Sequence, residues 1–462
     1  MMKYLLLLFC FIITSNCLAQ TKKDSAISDV DFLIDKIKYT YAGYSDKVKG
    51  NEFEKIIKEV KASTSKDTFA TLSKLTMYFN DAHLRIFQEV PVEKIDTIAC
   101  KKNLQKVNSL SLKKTTNKYS GYWTSVNYKS VIYLNAIDKD NFEAYVVETK
   151  SNMPIGFCNI KIKTNKNGEL VTDFVSTNMR RFFLKFKFTN DTTLMGNAYS
   201  KWRKIKNYTK GYLNNKITPT AIPDFKVLDS NNVVLYMPSF ARNRVAEYDS
   251  IIKVNREKII NCKNLIIDLR YNGGGSIRNY FPLFPIICTN IIWNRQSLVY
   301  ADQDYINYLE KIKLRVDSTK DVERMLRFQK IVDTAKANFG KYFAPQKTIS
   351  YDCKDTIPNK VKNVAIITNY GCLSAAEMLL LHFKQSKKVT TFGEATGGAI
   401  DHPDNKEIFL PQSKLQFWIV ETKMVINKEN PSYDKTGIKP DIPISDDEPD
   451  WIEFVKKYYE SK

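Results

Sequence analysis

The chain has 462 residues, 43% of them hydrophobic, with only 15 prolines and 16 glycines, which excludes a disordered or fibrous polymer and leaves room for two or three globular domains. Its formal charge is +21, yet the lysines are scattered, without a long run or a nucleic-acid motif. The charge is therefore read as solvated surface, suited to an acidic partner or an anionic envelope, and no nucleic acid is expected.

In chain order, Lys3 precedes the apolar run Tyr4 to Ile13, and Cys17-Leu18-Ala19-Gln20 offers a small-residue cleavage site after Ala19. Residues 1–19 are read as a signal peptide, so the mature chain is expected to be exported to a periplasm or the exterior. Lipid attachment at Cys17 is the alternative, but Ser15-Asn16 is a poor match for a lipidation box. The run is short for a membrane span, and no other segment reaches that length. Cys100, Cys158, Cys262, Cys288, Cys353 and Cys372 then remain, far apart and without a Cys-x-x-Cys pair, so no metal site is expected. Export permits disulfides, but spacing assigns none. Cys262, Cys288 and Cys372 lie in apolar settings and are expected to be buried thiols.

Residues 25–90 are expected to form a helical domain. Phe53, Ile56, Ile57 and Val60 recur at helical spacing, Phe69, Leu72, Leu75 and Phe79 mark a second stripe, and the segment ends in Asp81-Ala82-His83. From about Tyr119 to Ile205 the period changes to two, as in Ser130-Val-Ile-Tyr-Leu and Phe183-Leu-Lys-Phe-Lys-Phe, and residues 91–225 are expected to form a β-rich domain, an antiparallel sheet or small barrel. Over residues 226–462 strands and helices alternate, which predicts an α/β layer fold. Strands are expected at Val233–Met237, Leu265–Asp268 and Val364–Thr368. Helices are expected at Asn243–Ile260, after the glycines that follow Asp268, through much of Asp302–Asn338, and at Ser374–Lys384. No internal repeat is visible.

The run from Asn363 to Glu377 carries the first chemical signal. An apolar strand enters a short turn, and Ser374 opens the next helix. Such a turn lifts a hydroxyl clear of the backbone and leaves the amide of Ala375 without an intrahelical partner, so one turn offers a nucleophile and an oxyanion donor. A plain N-cap is the competing reading of Ser374. The second signal is Asn272-Gly273-Gly274-Gly275-Ser276 at the end of the Asp268 strand. Three glycines let the backbone approach a ligand closely, and the amide of Gly274 or Gly273 is the expected second oxyanion donor. No Lys-Ser/Thr follows and no G-x-G-x-x-G is present, so a phosphate loop is excluded.

These segments resemble the carboxy-terminal processing, or tail-specific, serine peptidases. The resemblance rests on Asp268-Leu-Arg-Tyr-Asn-Gly-Gly-Gly, Ser374-Ala-Ala-Glu377, Gly393-Glu-Ala-Thr-Gly-Gly398 and Gly437-Ile-Lys-Pro-Asp441-Ile, in family order between Asn232 and Ile444. It implies a ClpP/crotonase-like core, here with an N-terminal helical domain and a β-rich insertion, acting on polypeptides without a cofactor. No PDZ-like carboxylate-binding loop lies between Leu84 and Asp224. The family's Ser-Lys design is rejected, because Thr391-Phe-Gly-Glu-Ala-Thr-Gly-Gly-Ala399 holds no lysine, and Lys384, Lys387 and Lys388 lie too early.

The tricorn-core and retinoid-binding-protein-like branch implies instead a histidine base after the last N-terminal helix. Asp81-Ala82-His83 matches that element, and imidazole has the near-neutral pKa the task needs. The same resemblance assigns the supporting carboxylate to Asp434, three residues before Gly437, where relatives usually carry Glu. It places Ala82 where a bridging serine stands in tricorn-type sites. His382 and His402 are expected to be capping or surface residues. The expected constellation is thus Ser374, His83 and Asp434, with Gly274 or Gly273 and Ala375 around the oxyanion. Two rival classes are a non-catalytic binding protein on the same fold, favoured by Ala82 and Asp434, and an envelope scaffold using its basic surface.

Overall fold

The structure, a computed structural model, describes residues 28–113, 117–196, 200–215, 220–318, 321–345, 350–352, 356–434, 436–445 and 448–462. The expected leader, with Cys10 and Cys17, and Cys353 lie outside these residues. The five described cysteines are free thiols, and Cys262, Cys288 and Cys372 are buried, as their apolar settings predict. No helix among the described residues is long and apolar enough to cross a membrane.

The N-terminal helices span Asp29–Tyr39, Glu52–Lys61 and Thr68–Met77. Ser28 and Asp67 cap the first and third by accepting from the amides of Asp31 and Ala70. Their apolar stripes, including Phe53, Val60, Leu72 and Phe79, meet in one buried cluster. That cluster also takes Leu410, Phe417 and Ile419 from a hairpin near the other end of the chain. Strand β1 (Arg85–Glu89) completes the union, pairing antiparallel with Gln416–Val420.

The middle region begins with a helix, Thr97–Ser111, which the period-two pattern did not anticipate. It then forms eight consecutive strands: β2 (Gly121–Ser125), β3 (Ser130–Ala136), β4 (Asn141–Thr149), β5 (Cys158–Thr164), β6 (Leu170–Val175), β7 (Arg180–Asn190), β8 (Thr193–Gly196) and β9 (Lys201–Lys204). Each pairs antiparallel with the next. β9 returns to β2, with Trp123 opposite Lys204. The ring therefore closes into an up-and-down barrel, which leaves no sheet edge within it. Every strand contributes to one buried cluster, from Trp123 through Ile160 and Leu184 to Trp202.

The remaining half is an α/β fold. β10 (Asp224–Val227) pairs antiparallel with β11 (Asn232–Tyr236), and β11 then runs parallel to β12 (Asn264–Asp268). The strands Asn363–Thr368, Val389–Gly393 and Ile442–Pro443 continue the sheet in parallel. Both faces are covered, which is why these strands read as unbroken apolar runs. Leu265 and Ile267 pack with the helices Val245–Val254 and Ala375–Phe383, while Ile266 packs with the helix Trp451–Glu460. After the glycines the chain takes a 3-10 helix, Ile277–Leu283, instead of an α-helix, because Pro282 interrupts it.

The barrel is expected to depend on its filled interior. Trp123→Ala removes a fully buried indole and should lower the free energy of unfolding by about 3–5 kcal/mol. Urea unfolding followed by circular dichroism checks this, and a loss below about 1 kcal/mol would show that the indole is not part of a close-packed core.

Candidate active site

The two loops singled out in the sequence lie side by side because their strands do. β12 and Asn363–Thr368 are adjacent and parallel, so both chains leave the sheet at the same edge, where ligands of open α/β sheets bind. The loops are stitched together. The amide of Tyr271 donates to Asn369 Oδ1 at 3.0 Å and the amide of Leu373 donates to the Asn272 carbonyl at 3.0 Å. Asn272 Nδ2 donates to the Met237 carbonyl at 2.7 Å, anchoring the turn from below.

Ser374 holds φ +52° and ψ −117° just before the helix Ala375–Phe383. A non-glycine residue there is strained, by roughly 1–3 kcal/mol, and such strain gathers at functional turns. The conformation is retained because the neighbours fix it. Ser374 N donates to Glu377 Oε2 at 2.9 Å, and that buried carboxylate also accepts from Thr396 Oγ1 at 2.6 Å, Gly398 N at 3.0 Å and Ala399 N at 2.9 Å. Burial pushes Glu377 up to about 7 against the pull of these four donors. Gly274, at φ +90°, faces the turn so closely that a Cβ would stand 2.8 Å from Ser374 Cβ and 3.0 Å from Ala375 N. Its own amide donates to Asn272 Oδ1 at 2.9 Å. The amide of Ala375 opens the helix, a position with no intrahelical acceptor.

The segment Asp81-Ala82-His83 arrives from the helical domain. Ala82 packs directly on Leu373 and Ala399, beside Ser374. A side chain larger than alanine would press on that contact. Asp81 divides its carboxylate between two tasks. Oδ1 accepts from the amide of His83 at 2.8 Å, fixing the turn that carries the imidazole. Oδ2 accepts from Tyr41 Oη at 2.6 Å and Lys47 Nζ at 2.7 Å, and lies 3.3 Å from His402 Nδ1. Burial alone would raise Asp81, but Lys47, His402 and His83 hold it well below the usual carboxylate range. Burial pushes His83 below its ordinary 6.5, opposed by Asp81 and Asp434.

Asp434 stands on the same cluster. Its Oδ2 lies 3.4 Å from His402 Nδ1 and 3.6 Å from Lys47 Nζ, and its Oδ1 accepts from the amide of Asp401 at 3.3 Å. Among the described residues the basic contacts of Asp434 are therefore His402 and Lys47. His402 is the residue sequence reasoning set aside as a capping or surface group. It is 4% exposed, against the Tyr41 ring and between two carboxylates. A usable signal was the histidine flanked by Asp401 and Asp404 just past an apolar, glycine-rich strand end. His382 is also buried, accepting or donating at 3.1 Å with Tyr280 Oη in the core beneath the helix.

Asp81, His402 and Asp434 offer three ligand atoms within 4.8 Å of one another, the spread of a metal-binding trio. Lys47 already supplies the counter-charge there, so the set fits an ion-pair cluster better than a cation site. A cavity of about 660 Å³ opens beside this cluster, with Ala82, Gly397, Gly398, His402 and Asp434 in its wall. Glu377 links that wall to Ser374.

Residues 232–444 match the family model described as peptidase family S41. This part of the chain belongs to peptidase family S41. The S41 region thus holds both stitched loops, Ser374 and Asp434, and His83 reaches it from outside. The whole chain is similar to mature CPAF, with a TM-score of 0.53 and 11% identity over 94% of this chain and 95% of that one. It also matches a putative peptidase from Parabacteroides merdae ATCC 43184, TM-score 0.43, 12% identity, 94% of this chain and 95% of that one. A third match is the photosystem II D1 C-terminal processing protease, TM-score 0.41, 13% identity, 92% and 94%. No curated protein matches the chain.

Asp81→Asn should separate the structural from the chemical part of this cluster. Removing one member of a buried ion pair should cost about 3–5 kcal/mol near neutral pH. Asp81 is depressed below 3.8 on folding, so its contribution is complete above pH 3.8 and fades as the pH falls through the native value. Unfolding curves of the two proteins should therefore converge in strong acid; a constant gap at every pH would show that Asp81 acts through packing alone.

Proposed function

We propose that this S41 chain is a serine endopeptidase that cleaves unfolded or extended polypeptides through an acyl-enzyme. The observation that carries the reading is Ser374 held at positive φ on a strand-to-helix turn, closed against Gly274. His83 is the proposed base, and the amides of Ala375 and of Gly273 or Gly274 are the proposed oxyanion donors. Because Gly274 N is engaged by Asn272, Gly273 is the better placed of the two.

In this scheme His83 takes the Ser374 proton as Oγ attacks the scissile carbonyl, and the developing oxyanion is held by backbone amides. The imidazolium then protonates the leaving amine, and a water activated by the same ring releases the acyl group. Asp434 stabilises the imidazolium electrostatically, with His402 and Asp81 beside it. Hydrogen bonds of a catalytic set commonly tighten only when substrate binds. The leader-like first residues place the mature enzyme outside the cytoplasm in this proposal.

One observation favours a non-catalytic binding protein instead: Asp434 is engaged by Lys47 and His402. Incubation of the chain with an unfolded protein, with products read by mass spectrometry, separates the two readings. Ser374→Ala and His83→Ala should each reduce turnover by at least about 10³-fold without loss of fold. Cleavage that survives Ser374→Ala, or no cleavage together with no labelling of Ser374 by a serine-directed probe, would remove the peptidase reading. The base must be neutral to act, and His83 lies below 6.5 in the fold. The acid limb of kcat/KM should accordingly fall below pH 6.5; a limb at or above 7 would point to another base.

A further inference from the structure

The barrel is open at one end, and the cause is visible in its pairing. The first residues of β7, Arg180 and Arg181, pair with β1, while its later residues pair with β8. β7, paired with β6 along one edge, is thus shared along the other between β1 and β8, and a cavity of about 240 Å³ lies where these two diverge. Its wall comes from the β2–β3 and β6–β7 turns, the start of β9, β1, and Trp418 of the distant hairpin.

Three features of this wall are unlike a packing defect. The first is its aromatic character, from Phe87, Phe174, Phe182, Trp202 and Trp418. The second is a pair of buried hydroxyls. Ser130 is 0% and Ser200 3% exposed, both line the cavity, and neither Oγ has a hydrogen-bond partner. A buried hydroxyl left unsatisfied is costly, so each awaits an acceptor or donor. The third is charge: Arg85, Arg180 and Lys201 line the cavity, and no carboxylate does. Lys201 is held by Glu394 at 2.8 Å. Arg85 is 5% exposed, with its guanidinium 5.5 Å from the centre of the Phe182 ring.

We propose that the open end of the barrel is a binding site for a small amphipathic anion, one aromatic or branched apolar group carrying a single carboxylate. The apolar group lies among the aromatic rings. The carboxylate meets Arg85 and accepts from the Ser130 and Ser200 hydroxyls. The size suits such a ligand, since a cavity of about 150 Å³ already takes up benzene, and eight-stranded barrels enclose room for one small ligand. The site is joined to the S41 loops. Tyr271 Oη donates to the Val126 carbonyl at 2.6 Å and Tyr370 Oη to the Gly196 carbonyl at 2.8 Å. Both tyrosines belong to the loops that hold Ser374 and the glycines, so occupancy bears on the same structure. The proposal does not depend on the chain being a peptidase.

Two sources present this chemistry, a free small acid and the carboxy-terminal residue of a polypeptide. The test uses the full chain carrying Ser374→Ala, with tryptophan emission and calorimetry as readouts. The probes are 3-phenylpropionate, 3-phenylpropan-1-ol, and Gly-Gly-Phe as its free acid and its amide. The acid should bind at least tenfold more tightly than the alcohol, and Arg85→Gln should abolish that preference. Ser200→Leu, which fills the cavity, should weaken acid binding at least tenfold while thermal unfolding shows the barrel intact. Gly-Gly-Phe binding as tightly as the small acid, and losing affinity as the amide, identifies a chain end; binding of the small acid alone identifies a free metabolite. Equal affinity for acid and alcohol, no saturable binding of any probe, or acid binding that survives Ser200→Leu overturns the proposal.

Discussion

Asp81 is the carboxylate on which the spatial logic of this chain turns. One oxygen fixes the backbone of His83, and the other gathers Tyr41, Lys47 and His402. Tyr41 and Lys47 follow the first of the N-terminal helices, and His402 comes from the S41 region. A single buried anion therefore sets the distance between two parts of the chain that share no continuous backbone there. Its desolvation is tolerable because three donors and a nearby imidazole surround it. Asp434 adds a second carboxylate, its Oδ2 3.4 Å from His402 Nδ1 and 3.6 Å from Lys47 Nζ.

The strained serine depends on a comparable arrangement one layer further in. Glu377 has no surface exposure and takes four hydrogen bonds, from the turn itself and from Thr396, Gly398 and Ala399. Ala399 also touches Ala82. Neighbours of the two carboxylates thus meet in one apolar contact of Ala82, Leu373 and Ala399. Small residues at 82 and 399 let the Asp81–His83 turn come this close.

Much of this was legible in the sequence, where local periodicity and spacing carry the information. The α/β half was readable because buried parallel strands are unbroken apolar runs and the glycine and serine turns follow them. The N-terminal stripes were readable for the same reason. Closure of the barrel was not, because a period of two says which face is buried and nothing about whether β9 returns to β2. The helix Thr97–Ser111 was missed because only Cys100 and Val107 are buried on it, too few to make a stripe. His402 was missed because its partners, Asp81 and Asp434, lie far away in the chain. The approach of Ala82 to Leu373, next to Ser374, was not legible either, because no spacing rule supplies a contact between segments so far apart.

The pairing of β1 with Gln416–Val420 has a consequence for how the chain comes to life. Arg85 meets Trp418, and the helical cluster is closed by Phe417 and Ile419. The cluster of the N-terminal helices thus lacks a wall until residues 416–420 have been made. Contacts of such long sequence separation form late and slowly. A chain that ends before residue 416 therefore lacks both the partner strand of β1 and this wall of the helical cluster.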